Sequence, residues 1–322
     1  MNSINHYREE FLAHLKTSIA VKEPRNLYEP IDYILQLGGK RLRPVLTLIA
    51  ADLFGGDYRK ALPAAAAVEV FHNFSLVHDD IMDNASLRRG KATVHQKWNS
   101  NIAILSGDAM LICAYRLLES YPPDTFAALA KLFSKTALEV CEGQQWDMDF
   151  ETQTQVSIPQ YLQMIRYKTA VLVGAALQMG AIIAGASIEN QRLIYDFGVT
   201  IGLAFQLQDD YLDTFGDEAF GKKIGGDILE NKKTILYLKA LALADEAQRN
   251  TLIAQYTTSE ENDAKIAIVT QLFRQTGAAE AVRDEITRTT DEALNLLEHI
   301  TISDENRAYL KQFALELMNR KV

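Results

Sequence analysis

The stretch AAAAVEVFHNFSLVHDDIMD, Ala64–Asp83, decides the fold. Its apolar residues recur at the spacing of a helix, and we predict one helix over residues 61–83. The stretch ends in an acidic motif, DDIMD, and residues four apart share one face of a helix. Asp79 and Asp83 therefore project together from the end of an apolar helix.

A second acidic motif, DDYLD over residues 209–213, follows another apolar segment and repeats this spacing. Carboxylates placed side by side repel one another, so such clusters need a counter-charge. Oxygen ligands suit Mg²⁺, which proteins usually bind through one or two carboxylates together with the phosphates of a substrate. The motifs predict diphosphate chemistry, with these candidate metal ligands: Asp79, Asp80, Asp83, Asp209, Asp210 and Asp213.

The other long segments also show helical periodicity, and no series of alternating strand-like runs predicts a sheet. We therefore predict an all-α fold. No long linker, repeat or low-complexity tract interrupts the pattern, which favours a single domain over residues 1–322. The predicted helices cover residues 5–19, 27–37, 44–54, 61–83, 99–120, 124–150, 159–186, 189–215, 232–256, 263–275, 278–299 and 304–319.

The composition argues against several classes of function. The chain is 48% hydrophobic and has a formal net charge of -9, so a general nucleic-acid-binding surface is not expected. Cys113 and Cys141 form neither a CxxC pair nor a disulfide framework, which predicts a reduced, cytoplasmic protein. The most apolar segment, residues 170–186, is too short for a transmembrane helix, and we expect it to be buried.

Three basic segments accompany the acidic motifs. GGKRLRP ends one helix with glycine and begins the next with proline, and it places Lys40 and Arg43 where a helix start favours anions. Arg88 and Arg89 follow the first acidic motif, and arginine binds phosphate oxygens well. A loop rich in glycine and lysine, residues 221–234, is suited to close over a diphosphate. Each segment alone also fits an ordinary connection between helices.

Six motifs occur in the order found in trans-isoprenyl diphosphate synthases: GGKRLRP, LVHDDIMD, RRG, a Lys-Thr pair, FQLQDDYLD and the GKKIGGD loop. The chain resembles this family from about Leu37 to Thr234. The resemblance implies an all-α fold of the isoprenoid synthase type, with helices around a central prenyl-binding cavity. It also implies that the protein is a homodimer. The reaction implied by the resemblance is the attack of isopentenyl diphosphate on the cation that forms when an allylic diphosphate ionises.

The resemblance assigns roles to the acidic and basic residues. The Mg²⁺ ions are held in the family by residues that match Asp79, Asp83 and Asp209. Residues that act through water or through neighbouring groups match Asp80, Asp210 and Asp213. The allylic diphosphate is held by residues that match Arg88, Lys168 and Lys223, and a further lysine near the closing loop matches Lys232. The isopentenyl diphosphate site matches Lys40, Arg43, His72 and Arg89.

The resemblance also implies which groups face the allylic cation. Thr169 and Gln206 match residues whose oxygens stabilise this charge, which exists only during the reaction. Helical spacing supports Gln206, which lies three residues before Asp209. Phe205 either stabilises the cation with its ring or is an ordinary core aromatic residue.

Product length in the family depends on the apolar pocket below the first acidic motif. Phe74 matches the position whose bulk usually limits the product. Helical geometry alone favours Ser75, one turn below Asp79, with Phe71 two turns below, at about 6 and 12 Å. With an aromatic residue at position 74, the pattern is most similar to a short-chain synthase that forms geranylgeranyl diphosphate, with farnesyl diphosphate as the alternative. Both phenylalanines also fit an ordinary core.

Two other functions stay open. A terpene cyclase shares a helical fold and one DDxxD motif, but it does not use isopentenyl diphosphate, for which this chain carries the basic motifs. A non-catalytic subunit of a two-component prenyl diphosphate synthase need not keep both acidic motifs, whereas this chain has both. The preferred interpretation is an active prenyltransferase.

Overall fold

The structure, a computed structural model, describes residues 1–216, 224–258 and 262–319. Helices dominate these residues, and the only strands within them, β1 (Leu87–Arg88) and β2 (Lys91–Ala92), form one antiparallel hairpin. The prediction of an all-α fold is therefore confirmed.

The bounds of most helices are close to the predicted ones. They are α1 (Ile4–Ser18), α2 (Arg25–Gln36), α3 (Leu42–Leu53), α4 (Leu62–Met82), α5 (Val94–Lys97), α6 (Ser100–Leu118), α7 (Pro123–Thr152), α8 (Ile158–Ile165), α9 (Val171–Ile183), α10 (Ile188–Phe215), α11 (Gly226–Leu229), α12 (Ile235–Leu243), α13 (Glu246–Thr257), α14 (Asp263–Gln275), α15 (Ala278–Glu298) and α16 (Asp304–Met318). A short 3₁₀ helix, Tyr58–Ala61, precedes α4, and a π-helical segment, Arg166–Ala170, joins α8 to α9.

The chain divides into two compact units. The first unit comprises Met1–Lys135 and Ala175–Arg192, and the second comprises Thr136–Gly174 and Leu193–Val322. The single domain predicted over the whole chain stays a prediction.

Helix α4 is the central helix of the first unit, where α1, α2, α3, α5 and α6 all contact it. Its first half contains the alanine run 64–67, which is fully buried, and such small side chains let neighbouring helices approach closely. Gly107 of α6 shows how close this approach is, because a Cβ atom there would lie 2.3 Å from Nε2 of His78. Most of residues 64–77 are thus buried because helices surround α4.

A buried ion pair ties the start of α3 to the middle of α4. Arg41, at the N-terminal cap of α3, donates to the carboxylate of Glu69, and the two side chains are each 2% exposed. Asn73 also donates to that carboxylate, at 2.9 Å. A buried charge is tolerated when it is paired and hydrogen-bonded in this way. Arg41 therefore serves the fold.

The second unit has its own apolar core, built from side chains of α8, α10, α12, α14 and α15. The prediction of one helix over residues 232–256 is wrong, because α12 ends at Leu243 and α13 begins after Asp245. Asp245 and Gln248 form a capping box, which satisfies the first backbone N–H groups of a new helix. This local signal, an acidic residue followed three positions later by glutamine, is visible in the sequence.

The two most apolar helices differ in burial. Most residues of α9 are buried, which confirms the burial predicted for residues 170–186. Helix α6 is long and apolar enough to cross a membrane by length and composition alone, with a mean hydropathy of 1.4, yet only 33% of that window is buried. Among the described residues it is the one helix with these properties, and a single helix of this kind is weak evidence for a membrane span.

Candidate active site

The first acidic motif lies at the C-terminal end of α4 in the first unit. Asp79 is in the last turn and Asp83 is the C-cap residue, whose backbone N–H donates to the carbonyl of Asp79 at 2.8 Å. The predicted i, i+4 pair is therefore present. The C-terminal end of a helix carries partial negative charge, so two carboxylates there are destabilising unless a cation compensates them. This arrangement suits the binding of a cation.

Asp80, between these two residues in sequence, is turned inward. Its side chain is 1% exposed, and Nε of Arg88 donates to its Oδ1 atom at 2.9 Å, with a second, shorter hydrogen bond from the same guanidinium. Burial raises the pKa of Asp80, and the hydrogen bond from Arg88 offsets part of this effect. The Oδ2 atom of Asp80 is buried and has no hydrogen-bond partner within the described residues. Arg88, predicted to hold a diphosphate, thus also neutralises the buried aspartate.

The β1–β2 hairpin brings two of the basic segments together. Arg89 and Gly90 form its turn with φ values of 52° and 74°, the conformation of tight hairpin turns. The guanidinium of Arg89 donates to the carbonyl of Gly38. A Cβ atom at Gly39 would lie 2.9 Å from Cζ of Arg89, so the GGKRLRP segment packs closely on this guanidinium, and the φ of 118° at Gly39 also favours glycine. Sequence analysis predicted both segments but not this contact.

Several guanidinium groups surround His72 on α4. Nη1 of Arg43 lies 3.3 Å from Nε2 of His72. Burial lowers the pKa of His72 well below its ordinary value, and the positive charges of Arg43, Arg89, Arg41 and Arg88 lower it further. The imidazole is therefore neutral, and the cluster around it has the positive potential that an anion site needs. Lys40, in the same segment as Arg43, is exposed.

The side chains below the first acidic motif form an aromatic cluster. The ring centroids of Phe74 and Phe71 are 5.5 Å apart, and Phe71 contacts Phe133 edge-on at 5.2 Å. Phe74 also packs against His78, at 4.8 Å. Ser75 lies beside them, and its hydroxyl donates to the backbone carbonyl of its own helix at residue 72. The structure therefore gives Phe74 aromatic support, whereas Ser75 contributes little bulk.

The second acidic motif lies entirely within α10 of the second unit. Asp210 is 5% exposed and Asp213 is 7% exposed, while Asp209 is half-buried. Asp210 accepts hydrogen bonds from Nε2 of Gln206 at 3.0 Å and from the hydroxyl of Tyr161. Burial and the nearby negative charge of Asp227 raise the pKa of Asp210 to about 7, despite these two hydrogen bonds.

Asp213 connects this motif to the following helix. Its Oδ2 atom accepts from the backbone N–H of Asp227 at 3.0 Å, and its backbone carbonyl accepts from the N–H of Gly225 at 2.6 Å. A Cβ atom at Gly226 would lie 3.3 Å from Oδ1 of Asp213. Asp213 thus stabilises the start of α11, which is a structural role beside its predicted contribution to metal binding.

Lys168 and Thr169 lie in the π-helical segment, so the single helix predicted over residues 159–186 is interrupted there. π-helical turns are rare and frequently occur at functional sites. A Cβ atom at Gly143 of α7 would lie 2.2 Å from the backbone nitrogen of Lys168, so α7 contacts this segment closely. The ammonium of Lys168 donates to Asp147 at 2.5 Å, and the hydroxyl of Thr169 donates to Oε1 of Gln206 at 3.3 Å.

Three residues that complete these arrangements were not predicted from the sequence: Gly143, Asp147 and Tyr161. A glycine inside a predicted helix often has a packing reason, so Gly143 offered a weak signal. Asp147 and Tyr161 offered none, because their partners are 21 and 49 residues away in the chain.

The closing loop is described only in part. Lys223 lies outside the described residues. Lys232 is 48% exposed and lies 2.6 Å from Glu230 and 3.9 Å from Asp227. Burial lowers the pKa of Lys232, but the hydrogen bond and charge of Glu230 outweigh it and raise the pKa overall. Lys233 donates to three carbonyls at the end of α7, at 2.6 to 3.1 Å, and therefore stabilises that helix end.

The available ligands fit Mg²⁺ when a substrate supplies further oxygens. In residues 1–216, 224–258 and 262–319, no group of three or more His, Cys, Asp or Glu side chains is arranged to hold a metal ion. Each acidic motif instead offers carboxylate oxygens in pairs, which is the number that Mg²⁺ usually takes from protein beside substrate phosphates. The buried Oδ2 atom of Asp80 is an additional oxygen without a protein donor among the described residues.

Comparisons with known proteins agree with these features. Residues 24–273 match the profile of the family described as polyprenyl synthetase. A geranylgeranyl pyrophosphate synthase of Geoglobus acetivorans is 38% identical over 301 residues, which cover 93% of this chain and 92% of that protein. A short chain isoprenyl diphosphate synthase of Methanothermobacter thermautotrophicus is 36% identical over 321 residues, 98% of both chains. A crystal structure of a geranylgeranyl pyrophosphate synthase matches with a TM-score of 0.96 and 54% identity, covering 100% of both chains.

Proposed function

The chain belongs to the polyprenyl synthetase family and is a trans-prenyltransferase, and we propose that it condenses isopentenyl diphosphate with an allylic diphosphate in the presence of Mg²⁺. The proposed product is a short-chain trans-prenyl diphosphate of twenty carbons, with fifteen carbons as the alternative. The observation that carries this proposal is the pair of acidic motifs at helix segments, each with carboxylates four residues apart and a buried aspartate at its second position.

The metal chemistry is proposed for the carboxylates that face outward from these motifs. Asp79 and Asp83 in the first unit and Asp209 in the second are the proposed ligands. Asp80, Asp210 and Asp213 are proposed to support them, which agrees with their bonds to protein donors. Bound Mg²⁺ supplies positive charge that neutralises the departing diphosphate.

The anion-binding residues are proposed to divide between the two substrates. Lys40, Arg43, His72 and Arg89 are assigned to isopentenyl diphosphate, and Arg88, Lys168, Lys223 and Lys232 to the allylic diphosphate. The first assignment is supported by the guanidinium groups around a neutral histidine. Because a neutral imidazole can donate or accept a hydrogen bond without adding charge, it suits a site already rich in arginine.

The proposed reaction separates an anion from a cation, and two oxygens are proposed to face the cation. Thr169 donates its hydroxyl proton to Gln206, so the remaining lone pairs of Thr169 are available to a positive charge. Fixed dipoles of this kind lower the barrier because they need not reorganise during the reaction. Phe205, on the same helix, is half-buried, and its proposed contribution is through its ring.

One experiment tests the proposed function. The purified chain is incubated with Mg²⁺, isopentenyl diphosphate and one of three allylic starters, of five, ten or fifteen carbons, and the products are measured by mass spectrometry. We expect chain elongation that needs isopentenyl diphosphate and stops at twenty carbons. Conversion of an allylic diphosphate alone to a hydrocarbon or alcohol would instead indicate a cyclase. Activity only after addition of a second protein would indicate a subunit of a two-component synthase.

We further propose that the enzyme is a homodimer that associates through α6. Ile104, Asp108, Ile112 and Arg116 recur every four residues along an exposed row, and Leu105 beside them is 60% exposed. In an antiparallel copy related by a two-fold axis near Ile112, each Asp108 would lie opposite the partner's Arg116. Such isologous contacts are typical of dimers. A bilayer fits less well, since Asp108 is near the middle of the helix and its burial in lipid costs roughly 3 kcal/mol.

The dimer is tested by sedimentation of Leu105→Glu. We expect this variant to be monomeric, because it places a negative charge in the proposed contact surface of α6, where Leu105 is 60% exposed. Ile188→Glu is the control, since Ile188 is 79% exposed and lies outside α6. A dimer that persists in Leu105→Glu would exclude this surface.

We also infer a cytoplasmic location, which is supported by the two free cysteines.

A further inference from the structure

Tyr161 is a buried tyrosine whose hydroxyl contacts the second acidic motif. It lies on α8 with 4% exposure, and its ring belongs to the apolar core of the second unit. Its hydroxyl donates to Oδ2 of Asp210. A buried tyrosine hydroxyl needs a partner, but a backbone carbonyl would serve equally well. The partner of Tyr161 is instead a carboxylate that belongs to the second acidic motif.

The other oxygen of Asp210 determines how Gln206 is oriented. Oδ1 accepts from Nε2 of Gln206 at 3.0 Å. A carboxylate oxygen in this position accepts from an N–H group, and the group of Gln206 that faces it is the NH₂ group. The carbonyl oxygen of the same amide then points the other way, where it accepts the hydroxyl proton of Thr169 at 3.3 Å.

These three hydrogen bonds form one chain, from Tyr161 to Asp210 to Gln206 to Thr169. Without the bond from Tyr161, the Asp210 carboxylate has one fewer contact to hold its rotation, and the amide of Gln206 is less strictly held. An amide that turns by half a rotation presents N–H donors, which carry partial positive charge, where its oxygen had been. Toward a developing cation this reversal changes an attraction into a repulsion.

We propose that Tyr161 is a positioning residue that orients the Gln206 amide through Asp210 and thereby accelerates ionisation of the allylic diphosphate. This inference rests on the proposed function, in which Thr169 and Gln206 face the cation. Tyr161 itself touches neither substrate in this scheme. Its contribution is to fix which end of the amide faces the reacting carbon.

The test compares Tyr161→Phe with Tyr237→Phe. Each change removes one oxygen from a buried ring of the same apolar core, but Tyr237 contacts Tyr256 by stacking at 4.1 Å. We expect Tyr161→Phe to lower kcat roughly ten- to a hundredfold. The KM values for both substrates, the half-saturating Mg²⁺ concentration and the inhibition constant of inorganic diphosphate should stay within about twofold of wild type. Tyr237→Phe should keep the wild-type kcat.

A double-mutant cycle tests whether Tyr161 acts through Gln206. We expect Tyr161→Phe combined with Gln206→Leu to be no slower than Gln206→Leu alone, because one interaction has then been removed twice. Multiplied losses would overturn the inference. So would an unchanged kcat in Tyr161→Phe, or a kcat that recovers at high Mg²⁺, because recovery would assign Tyr161 to metal binding.

Folding is monitored by circular dichroism and thermal unfolding. If Tyr161→Phe does not fold, Tyr161→Phe combined with Asp210→Asn tests the same point, since a neutral amide leaves no unpaired buried charge. The kcat of this double variant is compared with that of Asp210→Asn alone, and equal values are expected because both variants lack the carboxylate through which Tyr161 acts. A lower kcat in the double variant would overturn the inference. Failure of the proposed function is a separate result, namely a wild-type chain that does not elongate an allylic diphosphate.

Discussion

At the first acidic motif the buried carboxylate of Asp80 is paired with the guanidinium of Arg88, whereas at the second motif the buried carboxylate of Asp210 accepts from two uncharged donors. The two motifs have the same spacing and each ends an apolar stretch of helix. They differ in the groups that compensate the charge of the buried aspartate, which is Asp80 in the first motif and Asp210 in the second.

Because of this difference, the protein supplies a positive charge to the buried aspartate of the first motif but not to Asp210 of the second. Burial raises the pKa of Asp80, and the hydrogen bond and charge of Arg88 oppose this rise, whereas the pKa of Asp210 rises to about 7. At Asp210 the neighbouring carboxylates of Asp227 and Asp209 add to the effect of burial. The second motif therefore depends more on an external cation than the first, and the following predictions test this contrast.

The largest effect is expected for Asp209→Ala. Loss of a proposed metal ligand from the motif with less internal compensation should lower turnover by at least about a hundredfold while the chain stays folded. Turnover at saturating Mg²⁺ and circular dichroism measure the two properties. Near-normal, Mg²⁺-dependent activity would contradict the assignment of Asp209.

Arg88→Met tests the internal compensation at the first motif. It leaves the Asp80 carboxylate buried without its partner, so we expect the free energy of unfolding in denaturant to fall by about 3 kcal/mol. Arg89→Met is the control and should cost under about 1 kcal/mol, because Arg89 is exposed and donates to a backbone carbonyl. Adding Asp80→Asn to Arg88→Met should restore part of the loss. Equal losses at the two arginines would show that Asp80 does not depend on Arg88.

The pH dependence of stability tests the second motif. The folded pKa of Asp210, about 7, lies above the ordinary value of 3.8, so between these values the folded chain holds a proton that the unfolded chain has released. Stability therefore falls as pH rises through this window. In EDTA we expect wild type to lose on the order of 2 kcal/mol more than Asp210→Asn between pH 5 and pH 7. Parallel stability curves for the two proteins would remove Asp210 as the source.

Phe74→Ala should have the smallest effect on rate and a clear effect on product. Phe74 packs on Phe71 and His78 below the first motif, and its removal opens space for a longer chain. We expect products longer by at least one five-carbon unit, with kcat within about threefold of wild type. Mass spectrometry measures the distribution, and an unchanged distribution would leave Phe71, deeper in the cluster, as the next candidate.

The sequence predicted the two helices that carry the acidic motifs. The apolar periodicity of residues 61–83 and 189–215 corresponds to α4 and α10, and the i, i+4 spacing places Asp79 and Asp83 on one face. The resemblance to prenyl synthases is confirmed by the family match. The individual roles of the site residues stay predictions, since their structural partners support but do not test them.

Some features follow from packing and were not predictable from the local sequence. The π-helical segment at Lys168 depends on how closely α7 passes at Gly143, where a Cβ atom would lie 2.2 Å from the Lys168 backbone nitrogen. The role of Arg41 depends on Glu69, which is buried 28 residues away. The β1–β2 hairpin turns at Arg89 and Gly90, and a residue such as Arg89 seldom adopts a positive φ, so the local sequence did not predict this turn.

The sequence by itself determined the all-α fold and the two carboxylate pairs, because helical spacing along one segment fixes which side chains share a face. Only the tertiary structure decided which aspartates of the two motifs are buried and which groups donate hydrogen bonds to them. Arg88 reaches Asp80 through a hairpin, and Tyr161 reaches Asp210 from another helix. Such contacts depend on the rotation and approach of separate elements, which are set by packing and not by local spacing.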